Sequence, residues 1–179
     1  SWRRYRPARQ GCAGVLVHEG FAVLSGIVGD ELRLRGLEEA QRLTQSEVAY
    51  LHYINDDQET IELVNWSRKT LKSYCHAAFN NHYPVSQAGI WADALRQRAP
   101  VTVNAYATAT GKHGLPDGHA RLDRLISVPV IEGGLVRMMV GVGNKSENYS
   151  DLDIETVQLV ANTIWHIVQQ RRTESALKH

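Results

Sequence analysis

The order of patterns along this chain predicts an α+β fold, a central antiparallel sheet of about five to six strands with helices on its faces. Two observations carry that expectation. Alternating apolar segments come in two consecutive pairs, at 47–67 and 124–145, each pair divided by turn residues. Amphipathic helical periods precede the first pair and follow the second.

Taken in order, GVLVHEGFAVLSGIV (14–28) is apolar with scattered small residues and reads as a helix, because a second helix follows at once. In GDELRLRGLEEAQRLTQS, Leu32, Leu37, Ala40 and Leu43 fall near one face with acids between them, and Asp30 is placed to cap its start. EVAYLHYIND (47–56) alternates, with Val48, Tyr50, His52 and Ile54 on one face and Ala49, Leu51 and Tyr53 on the other. The turn DDQET returns the chain through TIELVNWS, giving a hairpin. Residues 68–81 read as irregular or weakly helical, YPV (83–85) as short and extended, AGIWADALRQR as a helix, and PVTVN as a strand start, since Pro100 disfavours helix around it. ATATGKHGLPDGH (107–119) is a long exposed loop, of the kind that serves as a lid or is simply mobile. RLISVPVIE and LVRMMVGVGNK, joined by Gly133–Gly134, form the clearest hairpin. From Ser150 the last helix begins, Ser150 and Asp153 standing in capping-box relation with Asp in place of Glu or Gln. Its stripe of Ile154, Val157, Ala161, Ile164 and Val168 faces something apolar. Leu159, Val160 and Ile167 widen that surface, so the helix is expected to pack on its own sheet and on a partner helix.

Composition bounds what such a fold does. The 179 residues fit one domain with helical extensions, and 43% hydrophobic against 22% charged residues allow a real core. A formal charge of +1 argues against a general nucleic-acid binder. The one basic run, SWRRYRPAR, reads as a mobile end or linker remnant rather than a binding arm. It lacks the layout of a signal peptide, and no apolar stretch reaches the roughly 20 residues of a spanning helix. A cytoplasmic location without direct membrane contact is the simplest expectation. Cys12 and Cys75 form neither a metal-ligand spacing nor a disulfide framework.

Two stretches carry a family resemblance. GIWADALRQRAPVTVNAY (89–106), followed by GLPDGHARLDRLISVPVIEGG (114–134), resembles GAF domains that precede histidine-kinase, diguanylate-cyclase or PAS segments in bacterial sensors. NKSENYSDLD (144–153) is similar to the Asn-Lys…Phe…Asp-Glu pattern of phosphodiesterase GAF domains, with Tyr149 in place of the Phe and Ile154 in place of the Glu. The resemblance covers roughly residues 30–172. It implies an N-terminal extension at 1–29, a sensory domain at 30–172 and the start of a connector to an output module at 173–179. It also makes the Lys145–Asp153 pair a structural clasp between strand and helix, and the Ile154 departure weakens any claim for cyclic-nucleotide binding.

In GAF domains the ligand pocket lies between one sheet face and the segment that runs from the short strand to the long loop, which here is 82–119. The resemblance therefore offers Ile90 and Trp91 as apolar walls, with Tyr83, Asn104, Tyr106 and Ser127 as polar groups and His119 as a lid residue. The competing reading makes Trp91 core, Tyr106 a surface aromatic and His119 a local hydrogen-bonding group. Asp93, Arg96 and Arg98 read as an ion-paired or solvated face. His76, His82, His113 and His119, with Cys75, lack the short helical spacing of common zinc sites, so neither a metal nor a cofactor is expected. Phytochrome GAF domains attach a bilin through a cysteine, but nothing around Cys75 repeats those surroundings. GAF-fold methionine-sulfoxide reductases use several cysteines, and Cys75 has no obvious resolving partner. The resemblance thus implies a small-molecule sensor that signals through a homodimeric helix bundle, the alternatives being a ligand-free dimerisation module or, further off, such a reductase.

Overall fold

The computed structural model describes residues 19–74, 85–111 and 121–178. The leader, Cys12, Cys75, His76, His82, Tyr83, His113 and His119 lie outside the described residues. Five strands, β1 (Val48–Ile54), β2 (Ile61–Trp66), β3 (Val101–Val103), β4 (Leu125–Glu132) and β5 (Leu135–Gly143), form one sheet in the order β2-β1-β5-β4-β3, every neighbouring pair antiparallel.

Both hairpins close as their turn residues dictate. Gly133 and Gly134 take φ of 60° and 76°, the pair of left-handed values that a two-residue turn matched to strand twist requires. In the β1–β2 turn the Asp57 carboxylate accepts from the backbone N–H groups of Glu59 and Thr60, at 2.8 and 2.9 Å.

Helix α1 (Glu19–Leu43) and helix α4 (Asp151–Ala176) pack against each other on one face of the sheet. Beneath them lie Ala49, Leu51 and Tyr53 of β1, Ile126, Val128 and Val130 of β4, and Met138, Val140 and Val142 of β5. The α4 stripe behaves as its spacing requires, with Val157, Ala161, Ile164 and Val168 buried and Ile154 partly so. Its start carries a complete capping box: Asp153 N–H donates to Ser150 Oγ at 3.3 Å, and Ser150 N–H to Asp153 Oδ2 at 2.9 Å. The two helices approach closely at Gly36, where an added Cβ would lie 2.5 Å from Ile164 Cδ1.

Two expectations for α1 are corrected. It is one continuous helix of 25 residues, so Asp30 is an interior position and not a cap. A glycine such as Gly29 costs about 1 kcal/mol relative to alanine within a helix, and the helix runs through it. Its buried face includes Arg33, Leu37, Ala40 and Gln41, while Leu43 is 48% exposed. The face is rotated from the leucine stripe because α1 packs on α4 as well as on the sheet, and the wider contact takes in long and polar side chains.

The opposite face of the sheet is covered by a 3-10 turn (Ile90–Ala92) that runs into the short helix α3 (Asp93–Gln97). Helix α2 (Arg68–Tyr74) follows β2 and touches β1. The Thr70 hydroxyl accepts from Ala49 N–H at 3.0 Å there. With cover on both sides, every residue of β1 is buried.

Candidate functional site

The strand period of two turns Val48, Tyr50, His52 and Ile54 away from α1 and α4, toward the Trp91 turn. Tyr50 pairs across the sheet with Gly141, Gly141 with Ser127, and Ser127 with Val101. This row has no side chain at its second position, and the Tyr50 ring fills the space. A Cβ on Gly141 would sit 2.0 Å from Tyr50 Cζ, so only glycine admits the phenol across β5. Burial pushes the Tyr50 phenol well above its ordinary range, with the adjacent Ser127 hydroxyl a lesser, opposing influence. The two oxygens are neighbours, yet neither has a hydrogen-bond partner of good geometry.

Two residues along the strand, the His52 imidazole stacks on the Trp91 indole with ring centroids 4.7 Å apart and planes at 26°. Tyr50 lies 5.0 Å from His52, 5.9 Å from Trp66 and 6.3 Å from Trp91, the last edge-on. His52 is 8% exposed, its Nδ1 is buried without a partner, and burial holds its pKa down to about 3. The imidazole is therefore neutral at physiological pH, a hydrogen-bonding group rather than a proton carrier.

Arg96 of α3 holds the Trp91 turn against these rings. Its guanidinium donates to the carbonyls of Val85 at 2.7 Å, Gly89 at 3.0 Å and Ala88, and pairs with Asp93 at 2.5 Å. The Asp93–Arg96 pair is thus an ion pair, as its spacing suggests, and it also braces three backbone groups. Arg98 instead reaches Gly134 O at 2.6 Å, tying α3 to the β4–β5 turn.

Beside the four-ring cluster, Ile90, Tyr106 and Leu122 form a smaller one, and Val103 touches both. Tyr106 is only 6% exposed, with its hydroxyl buried and unpartnered and its phenol pushed up by burial, so it is not a surface aromatic. Asn104 turns elsewhere. Its Oδ1 accepts from Tyr149 N–H at 2.7 Å and its Nδ2 donates to Tyr149 O at 3.2 Å, which brackets the end of β3 to the approach of α4. Of the residues named from sequence, the fold brings Trp91 and Ser127 to the Tyr50 row and sets Ile90 and Tyr106 next to it. Tyr50, His52 and Trp66 were not named. For Tyr50 and His52 the signal is the alternation of β1 together with a glycine inside β5, which marks a close approach.

Past the end of β5, Lys145 Nζ and Asp153 Oδ2 meet at 2.8 Å. Burial pushes the Asp153 carboxyl up, but Lys145 and the Ser150 N–H together hold it below the ordinary aspartate value. The Tyr149 hydroxyl is 2.7 Å from Ser46 Oγ, which is 2.7 Å from Thr44 Oγ1. Among the described residues no three His, Cys, Asp or Glu side chains gather to hold a metal, and no helix is long and apolar enough to cross a membrane.

The sequence profile of the GAF domain matches residues 30–169. The methyl sulfide methyltransferase-associated sensor of Methanosarcina acetivorans is 34% identical over 142 residues, covering 79% of this chain and 14% of that protein. The GAF domain of an Acinetobacter phosphoenolpyruvate-protein phosphotransferase superposes with a TM-score of 0.65 at 11% identity, over 83% of this chain and 87% of that one. The type II free methionine-R-sulfoxide reductase of Thermoplasma acidophilum does so with a TM-score of 0.57 at 12% identity, over 80% of this chain and 96% of that one. At such identities the two structures speak for the fold alone.

Proposed function

The chain belongs to the GAF domain family, and from that premise we propose that it is the small-molecule-sensing module of a larger cytoplasmic signalling protein, coupled to an output module through a helical homodimer. One observation carries the sensing half. Tyr50, His52, Tyr106 and Ser127 present buried polar atoms without partners toward one side of the sheet. A buried polar group left unpaired costs about 1–3 kcal/mol, so several close together call for a partner from outside the chain. The relative from Methanosarcina acetivorans, named a sensor, supports the same reading.

The coupling half rests on α1 and α4, which pack together on the other face of the same β1 and β5. A ligand switches output only if it binds one helix arrangement better than the other. Native mass spectrometry of freshly purified protein and a thermal-shift screen test the sensing. A retained small molecule or a saturable rise in Tm is expected, and a ligand-free chain that no compound stabilises would sink it.

A second reading, a dimerisation module filled by its own side chains, is favoured by the mutual contact of the Tyr50, His52, Trp66 and Trp91 rings. It leaves the unpaired atoms unexplained, which is why sensing is preferred. The reductase reading draws on the Thermoplasma acidophilum structure and predicts turnover of oxidised methionine with a thiol reductant, abolished by Cys75→Ser. Sensing predicts none.

A further inference from the structure

The chemistry around Tyr50 narrows what is sensed. We propose that this face takes an uncharged, planar ligand carrying an amide-type donor–acceptor pair, read by Tyr50, His52 and Ser127 and held against Trp66 and Trp91, and that it rejects anions of the same shape. The proposal rests on the sensory reading above and adds the class of molecule.

Three observations carry it. On Tyr50, Ser127 and His52 the unpartnered groups are two hydroxyls and one ring nitrogen. A hydroxyl both gives and accepts, and a neutral imidazole gives from one nitrogen and accepts at the other, so together they complement a neighbouring N–H and C=O. Second, among the described residues no buried charge faces the Tyr50 row. The buried ionic side chains among the described residues are Arg33, over the Tyr53 ring on the helix face, and Asp153, paired with Lys145. Arg96, beside the Trp91 turn, is committed to three carbonyls and to Asp93. A carboxylate or phosphate buried against neutral groups alone forfeits its hydration without a countercharge. Third, four aromatic rings gather within 6.3 Å centroid spacings around Tyr50 and His52, which favours a flat apolar body between the polar ends.

Matched probes test the class on the whole 179-residue chain. Nicotinamide is set against nicotinate, and quinoline-2-carboxamide against quinoline-2-carboxylate, with binding followed by tryptophan fluorescence and calorimetry. At least one carboxamide is expected to bind, with its carboxylate about tenfold weaker or worse, a gap of about 1.4 kcal/mol. His52→Phe and, separately, Ser127→Ala are expected to weaken that carboxamide about tenfold while the circular dichroism stays that of the parent. The serine variant keeps the test alive if the histidine variant does not fold. Carboxylates binding as well as carboxamides, variants that bind like the parent, or no binding by any probe would each overturn the proposal. Native mass spectrometry separates that failure from failure of sensing. A retained anion rejects the class and keeps the sensor, a retained neutral planar molecule supports both, and a ligand-free chain that binds no probe rejects both.

Discussion

At the scale of single residues, His52 and Gly141 decide the site. Free in an unfolded chain, His52 titrates near 6.5, whereas folded it does so at about 3 because burial disfavours the imidazolium. As pH falls below 6.5 the unfolded state binds a proton that the folded state refuses. The stability tied to neutral His52 is therefore whole above that pH and drains away down to about 3. His52→Phe keeps a ring to stack on Trp91 and removes the proton. Denaturant melts at about pH 7 and about pH 5 should show the parent losing more stability on acidification than the variant. Equal losses would mean that the imidazole is not held neutral. Gly141→Ala drives a methyl into the Tyr50 ring, 2.0 Å from Cζ. A loss of about 1–3 kcal/mol in urea unfolding is expected, reduced when Tyr50→Val clears the space. Full cost in both backgrounds would place the strain elsewhere.

At the scale of elements, the ends of α1 and α4 are joined by a chain of hydroxyls. Thr44 Oγ1 donates to Ala40 O at 2.7 Å and meets Ser46 Oγ, which meets the Tyr149 hydroxyl, which accepts from Lys145 N–H at 3.3 Å. The phenylalanine of the phosphodiesterase pattern lacks this hydroxyl, so Tyr149 adds a polar link between the α1–β1 turn and the β5–α4 connection. Burial pushes its phenol up to about 12, which keeps it a neutral donor through the physiological range. Tyr149→Phe should cost about 0.5–1.5 kcal/mol and speed amide exchange at the start of α4, leaving the β4–β5 hairpin unchanged. Faster exchange across the whole sheet would show that the residue supports the core rather than the junction.

At the scale of the molecule, the two sheet faces do different work: one packs two long helices, the other gathers rings and unpaired polar atoms. On α4, Leu152 and Leu159, one heptad apart, stay 70% and 69% exposed. That is the spacing of a coiled-coil seam, and it is where the proposed homodimer would form. Sedimentation at high concentration should give a dimer, and Leu159→Glu should shift it to monomer while changing the unfolding free energy, measured at a concentration where both are monomeric, by no more than about 0.5 kcal/mol. A parent that stays monomeric at every concentration would remove the helix pairing from the signalling scheme.

What the amino-acid order determined by itself was local: the two hairpins, the Gly133–Gly134 turn and the capping box at Ser150 rest on residues close along the chain, and the α4 stripe is a period written within one segment. The Lys145–Asp153 clasp was legible for the same reason. Tertiary structure alone decided that Asn104 spends its amide on Tyr149, that the buried face of α1 turns away from Leu43, and that Tyr50 reaches across Gly141 toward Ser127. Each of these depends on which elements lie side by side, and a pairing such as Asn104 with Tyr149 or Tyr50 with Gly141, far apart along the chain, leaves no periodic trace in either partner.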